Sequence, residues 1–190
     1  MTIGLVSDTH GYFDQKLRGA LRGAELIVHA GDVGPEAVLD ELREIAPVHA
    51  VRGNVDSPDS GLPLSLELAP GGAGIRVLHI LPAAQSDLQL WAESERAGGA
   101  VRKPAERLMH AFDPSPEMVV FGHSHRPCLE LLGGILWVNP GSAGRKRFSL
   151  PRTCALVEIL PQTLQARIVP LEDDSGGLPE SLSVDRALRR

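Results

Sequence analysis

The first half of the chain alternates short apolar runs with segments of helical periodicity, and this alternation limits the possible folds most strongly. Strand-length apolar runs cover residues 3–6, 26–29 and 48–51, and helical patterns cover residues 13–21 and 38–45 between them. In the second helical pattern, apolar residues recur at positions that share one face of a helix. The resulting β-α-β-α-β order predicts an α/β fold with a largely parallel sheet.

The second half of the chain consists of shorter, strand-like runs. The segment SPDSGLP has the composition of a turn and separates the two halves. Residues 104–112 have the pattern of a helix, whereas residues 83–103 fit neither pattern clearly. The strand-like runs cover residues 66–68, 75–81, 118–121, 129–132, 135–138, 155–160 and 164–169. They predict either a second sheet or an extension of the first.

The chain is predicted to form one domain followed by a tail. A length of 190 residues suits a single hydrophobic core. We assign residues 1–170 to this domain. Residues 171–190 combine charges with Gly-Gly and Pro and offer little apolar surface to bury, so they are predicted to form a loosely ordered C-terminal tail.

Composition and charge argue against several classes of protein. The formal net charge is −5 and the aromatic fraction is 4%, which disfavours a binding surface for a nucleic-acid polymer. The two cysteines, Cys128 and Cys154, form no C-x-x-C pair, so neither a disulfide framework nor a closed zinc site is indicated. No apolar stretch approaches 18 residues and no secretion signal opens the sequence, so we expect a cytoplasmic protein with no membrane partner.

Residues that can bind metals follow several of the strand-like runs. The carboxyl ends of parallel strands lie along one edge of an open α/β sheet, so these residues are expected to converge on one crevice. A histidine in or just after the run at residues 75–78 can join them. The seven candidates are Asp8, His10, Asp32, Asn54, His79, His123 and His125.

The chemistry of this set indicates two divalent cations. Neutral imidazole and carboxylate oxygen suit divalent first-row metals, whereas several histidines disfavour calcium and magnesium. One tetrahedral ion cannot use seven ligands, but two ions can share them when a carboxylate bridges them at about 3.5–4 Å. We expect manganese, with iron, zinc, nickel or cobalt as alternatives. With two aspartates and a hydroxide bound, the cluster keeps about one positive charge and attracts a phosphate.

The order of the motifs resembles that of the calcineurin-like metallophosphoesterase superfamily. The motifs D-x-H, G-D, G-N, a single histidine and G-H-x-H begin at or contain Asp8, Asp32, Asn54, His79 and His123. VNPGS at residues 138–142 resembles the closing motif of that family. The resemblance extends over residues 1–170. It is closest to the small YfcE-type phosphodiesterases, a branch that also includes the retromer subunit of the same fold.

This resemblance implies a fold, an activity and a division of the ligands. The fold is a four-layer αββα sandwich of two mixed β-sheets flanked by helices. One metal is expected to bind Asp8, His10, Asp32 and His125, and the other Asp32, Asn54, His79 and His123, so that Asp32 is the bridge. A metal-bridging hydroxide would attack the phosphorus of a small phosphate ester. The residues expected to be catalytic are Asp32, Asn54 and His123.

Two positions depart from the pattern of this family. Its small members usually carry His-Gly-His where this chain has His79, Ile80 and Leu81. Many larger members place a histidine after the motif asparagine to protonate the leaving group, and this chain has Val55 there. Valine cannot donate a proton, so slow turnover is expected on esters with poor leaving groups.

Three functions remain open from the sequence. The first is a phosphodiesterase acting on a small phosphate ester, and the second is a phosphomonoesterase, because the ligand set does not distinguish the two bonds. The third is a metal-binding protein-interaction module with little or no catalysis, which the departures at Val55 and Ile80 favour. A homodimer is expected because exposed strands in this branch often pair subunits.

Several other residues fit structural roles better than chemical ones. GHSHR lacks the second glycine of a nucleophile elbow, so Ser124 is not expected to be a nucleophile. Asp56 is expected to close the turn after Asn54 or to support the ligands from behind. Structural roles are also expected for His29, His49 and His110. Contact with a phosphate at the rim of the site is open for Arg126, Arg145 and Arg147.

Overall fold

The computed structural model describes residues 1–99, 103–112, 114–147, 149–172 and 182–185, which form two β-sheets with helices outside them. The strands in chain order are β1 (Thr2–Val6), β2 (Leu26–His29), β3 (Val48–Ala50), β4 (Ser65–Leu68), β5 (Ile75–Leu78), β6 (Met118–Val120), β7 (Cys128–Leu132), β8 (Ile135–Asn139), β9 (Thr153–Ile159), β10 (Thr163–Pro170) and β11 (Leu182–Asp185). The helices are α1 (Lys16–Ala20), α2 (Ala37–Arg43), α3 (Gln85–Arg96) and α4 (Lys103–His110). Short 3-10 turns at Pro58–Ser60 and Pro70–Gly72 lie on either side of β4.

Both sheets mix parallel and antiparallel pairs. The first sheet has the order β11-β10-β9-β1-β2-β3, in which β1, β2 and β3 are parallel and the remaining pairs are antiparallel. The second sheet has the order β4-β5-β6-β8-β7, with parallel pairing of β5, β6 and β8 and antiparallel pairs at both edges. The strand-like runs of the second half therefore supply both a second sheet and an extension of the first.

Three apolar clusters separate the layers of the molecule. The central cluster lies between the two sheets and joins, for example, Val28 of β2 with Val120 of β6. A second cluster packs α1 and α2 on the first sheet, and a third packs α3 and α4 on the second sheet around Trp137. Strands covered on both faces need apolar side chains throughout, which explains the continuous apolar runs in the sequence. The predicted αββα sandwich is confirmed.

Two helices differ from the sequence pattern. The helix predicted over residues 13–21 is shorter, because the side chain of Asp14 accepts a hydrogen bond from the backbone N–H of Lys16 and also pairs with Arg152. This turn keeps residues 13–15 outside α1. The stretch 83–103 that fitted neither pattern contains α3, whose Leu88 and Trp91 are buried against the second sheet.

One strand lies within the predicted C-terminal tail. Leu182–Asp185 form β11, which pairs antiparallel with β10 and places Val184 opposite Leu164. The prediction of a loose tail is therefore wrong for this segment. The pattern is too short to reveal a strand by periodicity, and β11 satisfies an edge of β10 that would otherwise be unpaired. Residues 173–181 and 186–190 of the predicted tail lie outside the described residues.

Both cysteines are buried in the apolar layers between sheet and helices. Cys128 lies in the cluster under α3 and α4, and Cys154 lies in the cluster under α1 and α2. Burial raises the pKa of both thiols, that of Cys154 to about 12, so neither is a reactive thiolate at neutral pH. Among the described residues, none of the helices is long and apolar enough to cross a membrane.

Candidate metal centre

The seven candidate ligands lie where strands of both sheets end, at one edge of the sandwich. Asp8 and Asp32 follow β1 and β2, and Asn54 follows β3. His79 directly follows β5, and the histidine pair of the G-H-x-H motif follows β6. Parallel pairing within each sheet places these carboxyl ends side by side. The structure therefore brings together all seven residues that the sequence predicts.

One group of ligand atoms consists of Asp8, His10 and His125. Oδ1 of Asp8 lies 3.2 Å from Nε2 of His125 and 4.0 Å from Nε2 of His10. The two Nε2 atoms of the histidines are 3.1 Å apart. These donor atoms all lie within 4.8 Å of one another, a spacing at which one divalent cation can be held by imidazole and carboxylate.

A second group of ligand atoms surrounds His79. Its Nε2 lies 3.3 Å from Oδ1 of Asp32 and 3.1 Å from Oδ1 of Asn54. Oδ1 of Asn54 also lies 2.9 Å from Nδ1 of His123. Donor atoms of Asp8, Asp32 and His79 lie within 4.8 Å of one another as well. The amide, imidazole and carboxylate atoms of this group offer a second set of donors to a divalent cation.

Asp32 links the two groups through its two carboxylate oxygens. Oδ1 faces His79, and Oδ2 lies 3.9 Å from Nε2 of His10. Burial tends to raise the pKa of Asp32, but hydrogen bonds with His79 and with the backbone N–H of Val55 outweigh it and lower the pKa to about 2. The carboxylate is therefore ionised at neutral pH and available to cations on either side.

The backbone of five candidate ligands is left-handed. Within the described ranges, the non-glycine residues with positive φ are Asp8, His10, Asp32, His123 and His125. This conformation costs a residue with a Cβ atom about 1–2 kcal/mol. Such strain concentrates at functional sites, where the surrounding structure holds the residue in place. The strained backbone of these loops thus positions the candidate ligand side chains in the centre.

A buried carboxylate oxygen lacks a hydrogen-bond donor in this centre. Oδ2 of Asp8 accepts hydrogen bonds from the hydroxyl of Ser7 and the backbone N–H of His123. Oδ1 is buried, and no donor among the described residues satisfies it. A buried anionic oxygen without a partner costs stability. Its position next to His10 and His125 is the one expected for a metal ligand, so the donor set fits a bound cation.

The hydrogen bonds of His79 orient it for metal binding. Its Nδ1 lies 2.8 Å from the carbonyl oxygen of Ala30, which can only accept, so Nδ1 donates a proton there. In the neutral ring Nε2 then carries a lone pair that a cation among His79, Asp32 and Asn54 can accept, whereas in the protonated ring Nε2 donates a hydrogen bond to Oδ1 of Asp32. Burial lowers the pKa of His79, but the bonds to Asp32 and Ala30 outweigh that effect and the net pKa lies above its ordinary value.

Asp56 has a larger structural role than its sequence position indicated. Its carboxylate accepts backbone N–H hydrogen bonds from Val33, Gly34 and Gly53, at 3.1, 2.8 and 2.8 Å. It therefore ties the loop that carries Asp32 to the loop that carries Asn54. The sequence offered only the weaker signal of an acidic residue in a turn, because the distant partners come from another loop.

Two motif glycines are required by close approach to ligands from other loops. A Cβ atom on Gly31 would lie 2.6 Å from Nδ1 of His79, and one on Gly53 would overlap Oδ1 of Asp32. Gly31 also has a positive φ of 93°. Glycine therefore precedes Asp32 and Asn54 in the G-D and G-N motifs for a steric reason.

A polar network holds the loop between β6 and β7 that carries His123 and His125. Nδ2 of Asn139 donates to the carbonyl oxygen of Gly122 and to Oε1 of Gln85, at 3.0 and 3.1 Å. The hydroxyl of Ser124 donates to the same Oε1 of Gln85 at 2.6 Å. Ser124 thus has the structural role that its sequence context favoured.

The arginines expected near the rim differ in their surroundings. The guanidinium of Arg145 lies 4.8 Å from the ring centroid of Tyr12, and Arg126 and Arg147 are exposed. Burial lowers the pKa of His10, and the positive charge of Arg147 lowers it further. Positive charge at this rim faces the ligand group that contains His10.

His29 is buried beneath the centre, and its burial keeps the imidazole neutral. Its Nδ1 accepts a hydrogen bond from the backbone N–H of Gly31, at 3.2 Å. Nε2 must then carry the proton and donates it to the hydroxyl of Thr9, 2.9 Å away. Burial lowers the pKa of His29 to about 4. This buried, fully bonded imidazole has the structural role expected from its position within β2.

The His29→Gln variant is expected to reduce the loss of stability between pH 7 and pH 5. The unfolded chain binds a proton at His29 near its ordinary pKa of 6.5, whereas the folded chain does so only near pH 4. The wild type should therefore lose about 2 kcal/mol of unfolding free energy through this residue over that range. Urea unfolding of metal-free protein at both pH values measures the effect. The exposed His49 supplies the control variant His49→Gln, and an unchanged pH dependence in His29→Gln would contradict the assignment.

Comparison with known proteins identifies the family to which this geometry belongs. The family model described as the calcineurin-like phosphoesterase superfamily domain matches residues 1–161. The chain belongs to the calcineurin-like phosphoesterase superfamily. A relative from Methanocaldococcus jannaschii, named a probable metallophosphoesterase, is 29% identical over 185 residues, covering 91% of this chain and 83% of the relative. The resemblance inferred from the motifs is thus confirmed.

Solved structures with the same fold include both a Vps29 and a phosphodiesterase. Vps29 of Chaetomium thermophilum has a TM-score of 0.71 at 20% identity, covering 97% of each chain. A structure described as a novel archaeal phosphodiesterase has a TM-score of 0.62 at 19% identity, covering 90% of this chain and 99% of that one. Calcineurin-like phosphoesterases use divalent metals, and the donor groups of this chain fit such ions.

Proposed function

We propose that this protein is a dinuclear metal-dependent phosphodiesterase that hydrolyses a small phosphate ester. The observation that carries this proposal is the position of Asp32, whose two oxygens face His79 on one side and His10 on the other. A carboxylate between two sets of imidazole donors suits a pair of ions that share one bridge. Asp8, His10 and His125 complete one set, and Asn54, His79 and His123 complete the other.

The exposure of the ligands defines the open side of the centre. Asp8 and His79 are buried, whereas Asn54 and His123 are exposed. The ester therefore approaches from the side of Asn54 and His123, which we assign, with Asp32, as the catalytic residues. Divalent ions bound here would polarise the phosphorus–oxygen bonds and lower the pKa of water. Asp32 remains ionised at the pH of the reaction because its pKa is about 2.

Charge supports a phosphate ester as the substrate. Two divalent cations carry four positive charges, and Asp8 and Asp32 neutralise two of them. A chain with a formal net charge of −5 would thus present a local positive centre at this edge of the sandwich. Arg147 adds a further positive charge near His10. An anionic ester is attracted to this centre although the protein as a whole is negative.

A diester is favoured over a monoester as the substrate class. The archaeal structure with the same fold is described as a phosphodiesterase. A diester carries a single negative charge, which matches a cluster whose positive surplus is about one charge once a hydroxide is included. Val55 is 58% exposed and cannot protonate a leaving group, so esters with acidic leaving groups should react faster.

A second candidate is a metal-binding protein-interaction module. The high similarity of fold to Vps29, at a TM-score of 0.71, favours it together with the replacement of a proton donor by Val55. In that case the metals would stabilise the loops without turnover. An assay of ester hydrolysis after metal removal and manganese addition separates this candidate from the enzyme.

Removal of metal by a chelator is expected to abolish hydrolysis, and addition of manganese is expected to restore it. Bis(p-nitrophenyl) phosphate and p-nitrophenyl phosphate, assayed in parallel, test the diester against the monoester. We expect faster release from the diester. The variant His123→Ala should lose most of the manganese-dependent activity, whereas His49→Ala, which removes an exposed histidine of β3, should retain it.

Each contrary outcome selects one of the other functions. Faster manganese-dependent release from the monoester would identify a phosphomonoesterase. Calorimetric binding of manganese without release from either ester would identify the interaction module.

A further inference from the structure

A cavity of about 460 Å³ opens beside the metal centre on the side of Asn54 and His79. This volume lies within the range of small-molecule sites, about 300–1,000 Å³. The cavity shares two ligand residues with the centre, so a molecule bound in it lies next to a phosphate held there. The residues that line it besides the ligands include Arg52, Pro58, Leu64, Leu78 and Ile80.

The wall of this cavity exposes large apolar side chains. Leu64 is 66% exposed and Ile80 is 49% exposed. They come from different segments, since Leu64 precedes β4 and Ile80 follows the ligand His79. Apolar surface left open beside a polar centre favours a ligand with an apolar part that covers it.

Arg52 also lines the cavity, and its guanidinium is free to contact a ligand. The backbone N–H of Arg52 donates to the carbonyl oxygen of Pro63 at 2.7 Å, which fixes the segment leading to Leu64 beside the end of β3. In the described part of the chain, the guanidinium of Arg52 forms neither an ion pair nor a side-chain hydrogen bond. The carboxylate of Asp56, which also lines the cavity, is occupied by three backbone N–H groups. A free guanidinium stacks readily on an aromatic ring.

We propose that this cavity binds an aromatic group of the phosphate ester, such as an aryl or nucleobase ring, between the apolar wall and Arg52. This inference rests on the proposed function, because it assigns one substituent of the ester that the centre holds. Leu64 and Ile80 provide the apolar contact, and Arg52 favours a π-face over an alkyl chain. These three residues determine specificity and take no part in the chemical step.

Calorimetric titration of the manganese-loaded protein with three phosphodiesters tests the proposal, and release of phenol or alcohol is measured in the same samples so that the heat of hydrolysis is subtracted. Diphenyl phosphate should bind about tenfold more tightly than dimethyl phosphate, with dibutyl phosphate between them. Leu64→Ser and Ile80→Ser should each weaken diphenyl phosphate binding by about five- to tenfold and leave dimethyl phosphate binding unchanged. Arg52→Met should bring diphenyl and dibutyl phosphate to similar affinity. Leu90→Ser, which replaces a leucine of α3 with 48% exposure, is the matched control and should change none of these values.

The outcomes separate this proposal from the proposed function. Equal affinity of the wild type for diphenyl and dimethyl phosphate, or equal effects of Ile80→Ser on both, would overturn the aromatic site. Equal affinity for diphenyl and dibutyl phosphate would overturn the role of Arg52. Selective binding of diphenyl phosphate without hydrolysis of any ester would overturn the phosphodiesterase and retain the aromatic site.

Discussion

The Asp32→Asn variant is expected to have a manganese-dependent phosphodiesterase activity at least about 100-fold lower than that of the wild type. Loss of a residue that merely orients a metal ligand already reduces activity or metal affinity by about 10- to 100-fold. Asp32 lies between both groups of donors and carries one of the two negative charges of the centre. An amide keeps the shape but has one oxygen and no charge, so it cannot serve both groups. Rates with bis(p-nitrophenyl) phosphate at saturating manganese measure the effect.

Calorimetry with manganese shows whether this loss arises from the bridge. The wild type should bind two equivalents of manganese and Asp32→Asn fewer or far more weakly. Asp59→Asn, which changes an exposed carboxylate in the 3-10 turn after β3, is the control and should match the wild type. If Asp32→Asn kept full activity with two bound ions, the bridging role of Asp32 would be wrong.

The Asp56→Ala variant is expected to unfold at a free energy at least about 2 kcal/mol lower than that of the wild type. Its carboxylate accepts three backbone N–H groups, of which those of Val33 and Gly53 are buried, and each buried donor left without a partner costs about 1–3 kcal/mol. The loops that carry Asp32 and Asn54 would also separate, so manganese affinity should fall. Urea unfolding and manganese titration measure the two effects.

Two further variants make the prediction for Asp56 specific. Asp56→Asn retains one acceptor oxygen and should be destabilised less than Asp56→Ala. Asp59→Ala removes an exposed carboxylate three residues away and should leave the unfolding free energy nearly unchanged. Equal stability of Asp56→Ala and Asp59→Ala would show that the three hydrogen bonds contribute little.

The fold could be predicted from the sequence where a strand is covered on both faces and is therefore continuously apolar. The run at residues 26–29 coincides with β2, because a strand between two layers needs apolar side chains at every position. Two features depended instead on distant partners. The start of α1 is set by Asp14 together with Arg152, and β11 forms on the edge of β10. Periodicity within a single segment does not encode such partners.

The site could be predicted only as a set of residue types at strand ends. The rule that parallel strands end at one edge was sufficient to gather Asp8, Asp32 and Asn54. The cavity beside them was not predicted, because it depends on how the segment leading to Leu64 packs beside Arg52. The threefold acceptor role of Asp56 was missed for the same reason.

The left-handed backbone of the ligand residues has a consequence for how such a chain changes over generations. Glycine adopts a positive φ without a steric penalty, so at Asp8, His10 or His123 it would relax the loops of the empty protein. If selection acted on folding alone, mutations that replace these ligand residues by glycine would therefore be favoured. At these few positions, the residue that gives the most stable fold differs from the residue that can bind a metal.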